Sequence, residues 1–258
     1  MAPSVDLCAD ALAPVPAGPT NGKLVGTINQ GRILMAIESA RAGTIALAYI
    51  DASGIHVVPM ARDGTLAHPA WAPDGRIVFD SERAGGRHLF RIATDGSGLT
   101  QLTRDSVNFA PTVSPDGQTV AYVSLRNKSY DIWLMARDGS NQRQFTPTPQ
   151  IKETEPRFLR DGTLAFLVER REGNRTVQQV VRADLTTGSV TPMTGVDLAL
   201  TSFAVSPSGD LLALVVNAQP ENRRNPIYKV YIQPVGSGTP VPMPTIGTDQ
   251  MVTPTFRP

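Results

Sequence analysis

The feature that most constrains this chain is a unit of four to five dozen residues that returns, altered, along most of its length. In residues 68–103 the unit reads as a short strand, a Pro-Asp-Gly turn, an apolar strand, a further strand, an Asp-Gly turn and a last short strand. Related versions follow at 110–146, 156–194 and 203–243. The apolar marker of the first strand is Trp71, then Val113, Phe158 and Val205, at intervals of 42, 45 and 47 residues. Periods near 40–50 with four strands per unit are those of a β-propeller blade.

Each copy carries the same local chemistry. The first turn uses Asp74-Gly75, Asp116-Gly117, Asp161-Gly162 and Ser208-Gly209. There the short polar side chain can bond its own backbone and glycine accepts a positive φ. An apolar run follows at Ile77-Val78-Phe79, 120–123, 164–167 and 211–216, as expected of strands covered on both faces. Third strands are expected at 89–92, 132–135, 177–181 and 227–232, and short, more polar fourth strands after a second turn.

The two ends complete each other. Pro254-Thr255-Phe256-Arg257-Pro258 repeats the opening of a unit and stops, while Asn21-Gly22-Lys23-Leu24-Val25 matches Asp74-Gly75-Arg76-Ile77-Val78. Pairing of the terminal strands would close a ring and remove exposed sheet edges. Met60–Gly64 is identical to Met135–Gly139, which places a third strand at 55–60, a second at 44–50 and a first at 32–38. The expectation is an all-β propeller of four-stranded blades over residues 22–258, six blades being favoured with five as the alternative. Residues 1–21, rich in Ala and Pro, read as a flexible leader.

Bulk properties exclude several classes. Lys and Arg number 24 against 23 Asp and Glu, so there is no basic excess for nucleic acid. No apolar run approaches the roughly 18 residues of a membrane span. The single cysteine, Cys8, forbids an intrachain disulfide. A monomer without cofactor is expected.

The motif P-x-W-x-P-D-G-R-I-V-F, followed by L-F-x-I-x-x-D-G-S and L-T-x-L-T, closely resembles the repeat of the TolB-like propeller family. S-P-D-G stands intact at 114–117 and varies as A-P-D-G, L-R-D-G and S-P-S-G in the other copies. The resemblance covers 22–258. It implies a ring of blades, a protein or peptide partner, and a periplasmic or extracellular setting. Residues 1–21 are not expected to supply the additional N-terminal domain that TolB proteins carry.

Catalytic motifs are scarce. His56, His68 and His88 show no metal-ligand spacing, and no G-x-S-x-G elbow exists for a serine hydrolase. The Asp-Gly pairs read as turns. A binding scaffold is therefore favoured over the alternative, a propeller hydrolase or the accessory propeller of one. His68, Asn108, Glu155, Ser202 and Thr253, in loops leading into first strands, are the candidate ring at the mouth of a central channel. Arg223 and Arg224, in the long polar insertion 217–226, are candidates for a rim contact.

Overall fold

The computed structural model describes residues 26–29, 32–38, 45–60, 65–195, 199–206, 208–219, 227–236 and 239–243. All regular structure among them is β: twenty strands in five four-stranded antiparallel sheets, arranged as blades in a ring. Blade 1 holds β1 (Gly26–Asn29), β2 (Arg32–Glu38), β3 (Ile45–Asp51) and β4 (Gly54–Val57). Blade 2 holds β5 (Ala67–Trp71), β6 (Ile77–Ser81), β7 (His88–Ile92) and β8 (Thr100–Gln101). Blade 3 holds β9 (Asn108–Val113), β10 (Thr119–Ser124), β11 (Asp131–Ala136) and β12 (Arg143–Gln144). Blade 4 holds β13 (Lys152–Phe158), β14 (Leu164–Glu172), β15 (Arg175–Ala183) and β16 (Val190–Pro192). Blade 5 holds β17 (Leu200–Val205), β18 (Leu211–Asn217), β19 (Tyr228–Pro234) and β20 (Val241–Pro242).

The strand pattern of blades 2 to 5 is the one the repeat predicts. Blade 1 corrects the sequence reading by one strand. Arg32–Glu38 is its second strand, 45–51 its third, and 54–57 its outer one, because Gly26–Asn29 pairs ahead of them in a hairpin. The segments 21–25 and 254–258, on which a sixth blade and ring closure depend, lie outside the described residues, as does the leader.

First strands are innermost: β1 lies against β5, β5 against β9 and β9 against β13. The core is the set of seams between blades. Leu34, Leu47, Trp71, Phe79 and Phe90 fill the seam of blades 1 and 2. Val78, Leu89, Tyr122 and Met135 fill that of 2 and 3, Val123, Ile132, Leu164 and Phe166 that of 3 and 4, and Leu167, Phe203 and Leu214 that of 4 and 5. The continuous apolar runs of the second strands thus serve two seams at once, alternate residues facing alternate neighbours.

The turns obey the chemistry read from sequence. Asp95 Oδ1 accepts the Ser97 amide at 2.9 Å and hydroxyl at 2.6 Å, and Asp138 does the same for Ser140. Gly96 and Gly139, both at positive φ, have a second duty. A Cβ on Gly96 would stand 1.9 Å from the Pro59 carbonyl oxygen, and one on Gly139 2.7 Å from that of Leu102. The second turns of blades 2 and 3 are thus pressed against the preceding blade, whereas Gly188 and Gly236 in the second turns of blades 4 and 5, like Gly75 and Gly162 in first turns, have nothing within 4 Å of such a Cβ.

Candidate functional site

Three successive inner strands carry the same break. In β5, pairing with β6 jumps from Ala67↔Asp80 to Ala70↔Val78; in β9 it jumps around Ala110-Pro111, and in β13 around Glu155-Pro156. Proline has no amide hydrogen to give a ladder, so it is tolerated at a bulge. The residue before each proline adopts a left-handed backbone, with φ 45° at His68, 50° at Ala110 and 54° at Glu155. Such conformations cost non-glycine residues roughly 1–3 kcal/mol and persist where the surroundings over-determine them. The buried aromatics Phe79, Tyr122 and Phe166 stand across from the three bulges.

The described mouth candidates therefore lie inside strands, not in the loops leading to them. The matching position in blade 3 is Ala110. Asn108 lies two residues earlier, fully enclosed, with its amide donating to the Asp105 and Ser106 carbonyls of its own loop. Thr253, Arg223 and Arg224 lie outside the described residues.

His68 is tied to a carboxylate that sequence reading overlooked. Its Nδ1 stands 2.8 Å from Oδ1 of Asp80, which is wholly buried in β6. The same oxygen accepts the Ala110 amide at 3.1 Å, so one carboxylate joins the bulges of blades 2 and 3. Arg87 Nε is 3.2 Å from Asp80 Oδ2. The imidazole, 33% exposed, tilts against Phe109 with centroids 6.1 Å apart. The signal was available: Asp80 interrupts the apolar run Ile77–Ser81, where the siblings have Val123 and Leu167.

Glu155 and Ser202 are brought together. Glu155 Oε2 accepts from Arg157 Nη2 at 2.9 Å and from the Ser202 hydroxyl at 3.3 Å, while Arg157 Nε donates to the Phe203 carbonyl at 3.3 Å. Blades 4 and 5 are linked here by polar groups, as 2 and 3 are by Asp80.

A pair of buried acids lies near the seam of blades 3 and 4. Glu153 is 2% exposed and Asp131 1%. Thr148 donates its hydroxyl to Glu153, and Gln144 Nε2 reaches Asp131 Oδ2 at 2.9 Å. Burial, reinforced by the Asp131 charge, pushes Glu153 up to about 7; burial also raises Asp131.

The β3–β4 hairpin gathers Asp51, Ser53 and His56, the residue types of a hydrolytic triad. Ser53 Oγ is 2.9 Å and Asp51 Oδ1 3.0 Å from the same His56 Nε2, and Ser53 also donates to Asp51 at 2.6 Å. A triad requires acid and nucleophile on different imidazole nitrogens. These three close a turn, and the Ser53 hydroxyl above all draws Asp51 down to about 2. Among the described residues no group of three or more His, Cys, Asp or Glu is placed to hold a metal ion, and no helix is long and apolar enough to cross a membrane.

No family model matches the chain, and no curated protein does. Solved structures do. TolB from Acinetobacter baumannii aligns at TM-score 0.62 and 18% identity, covering 82% of this chain and 53% of that one. The chain thus spans about half the length of that relative. A protein assigned as TolB from Agrobacterium tumefaciens aligns at TM-score 0.68 and 18% identity, covering 82% and 76% of the two chains. A puromycin hydrolase aligns at TM-score 0.62 and 18% identity, covering 94% of this chain and 42% of the enzyme. The chain is TolB-like in fold, and that fold is shared with hydrolases.

Proposed function

We propose that the chain is a non-enzymatic scaffold that binds a protein or peptide segment at the mouth of the ring. The observation that supports this reading is the repeated bulge. A fixed backbone device presents a different side chain in each blade, His68, Ala110 and Glu155, with Ser202 beside the last. Rigid strands displaying varied chemistry around one axis suit recognition by preorganised groups. In this reading Thr253 completes the set, Asn108 braces its loop, and Arg223 and Arg224 add a rim contact for an acidic partner. In the same reading, segments 21–25 and 254–258 pair to close a sixth blade. The TolB-like fold suggests a periplasmic or extracellular setting.

Panning a displayed peptide library against the purified protein tests this. Selected peptides are expected to bind the triple variant His68→Ala, Glu155→Gln, Ser202→Ala at least about tenfold more weakly, the loss of one well-placed contact. Unchanged affinity in that variant would reject the mouth as the site.

One observation favours a second reading, an accessory propeller of a hydrolase: the puromycin hydrolase match takes in 94% of this chain. Peptidase or esterase activity recovered only when a separate hydrolase domain is added would establish it.

A further inference from the structure

Asp80 stands out when the blades are laid over one another. It pairs with Ala67, the residue before the bulge; the same position is Val123 opposite Phe109 in blade 3 and Leu167 opposite Thr154 in blade 4. A carboxylate in a fully enclosed position that its siblings fill with aliphatic side chains carries a desolvation penalty that its partners must offset. Folding as a blade does not require it. Its partners are also particular to this blade: His68 and Arg87 occupy positions held by Ala110 and Tyr130 in blade 3.

The hydrogen-bond pattern settles the direction of the contact with the ring. Asp80 Oδ1 already receives the Ala110 N–H, and Oδ2 faces Arg87. An oxygen that accepts one N–H is disposed to accept another, so Nδ1 of His68 is the donor across the 2.8 Å contact. A neutral imidazole with its hydrogen on Nδ1 carries a lone pair on Nε2. No described residue bonds Nε2, and the ring is one-third exposed.

We propose that Asp80 is a positioning residue that fixes His68 as a hydrogen-bond acceptor at the mouth of the ring, so that the site selects a donating peptide group, an N–H or ammonium, over a carboxylate. This rests on the binding reading for where the ligand sits, but the polarity of the ring can be measured without any ligand.

Long-range proton–nitrogen NMR of the His68 ring in the intact protein is the direct test. The hydrogen is expected on Nδ1. Glycinamide, a cationic donor, should shift Nε2 saturably, and acetate should not. Asp80→Asn keeps an acceptor oxygen and should preserve both results. Asp80→Val should abolish the fixed tautomer and reduce the preference for glycinamide about tenfold or more. A hydrogen on Nε2 in the unaltered protein would overturn the proposal. So would acetate binding as well as glycinamide, a saturable response to neither, or an Asp80→Val protein that behaves like the parent. If Asp80→Val does not fold, the parent and Asp80→Asn results decide. Loss of peptide capture with the tautomer and glycinamide response intact would fail the peptide reading alone.

Discussion

Among the described residues, two places in the ring bury carboxylates, and they are stabilised differently. At the seam of blades 2 and 3, Asp80 is enclosed with a guanidinium, an imidazole and a backbone amide around it. By the seam of blades 3 and 4, Glu153 and Asp131 are enclosed with hydroxyls and an amide, and no lysine or arginine is paired with either among the described residues. Cationic and hydrogen-bonding partners let the first carboxylate serve as a fixed acceptor. Lacking a counter-charge, the second pair makes a proton the compensating charge, which is why Glu153 is pushed up to about 7. Burial alone does not set what an acid does; its partners do.

The sharpest way to break the comparison is Asp80→Val, which gives blade 2 the residue of blade 3. Removing one member of a buried pair should destabilise by about 3–5 kcal/mol, read as a lower urea midpoint. The triple change His68→Ala, Asp80→Val, Arg87→Tyr imports the whole blade 3 set and should restore most of that loss, because no charge is left uncompensated. Failure of the triple to recover would show that blade 2 needs its charges to fold.

Gly139→Ala follows, with an expected loss of about 3 kcal/mol, combining a left-handed residue with the contact on Leu102. Gly162→Ala, strained but unobstructed, should lose about 1 kcal/mol. Equal losses in thermal unfolding would mean that the Gly139 turn does not stitch blade 3 to blade 2.

For the acid pair the sign follows from linkage. Glu153 titrates higher folded than its ordinary value of 4.5, so between about 4.5 and 7 the folded state holds a proton the unfolded state has released. Stability from this group is full at the acid end of that window and is lost as pH rises through it. Glu153→Gln should flatten the profile and stabilise by about 2 kcal/mol above pH 7 relative to the parent. Parallel stability–pH curves for the two proteins would refute the assignment. The smallest effect is expected at the exposed Lys152–Glu169 pair, where Lys152→Ala should change stability by under about 0.5 kcal/mol.

The sequence made the blades legible because turn chemistry and strand period recur together. Where only one of them recurred, the reading slipped. The shared pentapeptide at 60–64 and 135–139 carries no information on which strand precedes it, and blade 1 was displaced by one strand. Of the residues read as mouth candidates, His68, Glu155 and Ser202 fall on inner strands, while Asn108 was matched two residues from Ala110, the residue that precedes Pro111. Asp80 and Glu153 escaped because each looks like an ordinary polar residue beside a turn. Their burial comes from the neighbouring blade, which no window of local sequence contains.

The bulge before proline also bears on how such a protein can change. At His68, Ala110 and Glu155 the chain leaves the ladder for two residues, the second of them a proline that asks nothing of the sheet. A substitution there need not disturb the pairing on either side, so these sites form slots in which chemistry can be exchanged while the architecture is inherited. The left-handed backbone limits the alphabet, disfavouring valine, isoleucine and threonine. Variation in such a ring should therefore concentrate at a few registers along its axis and draw on unbranched side chains.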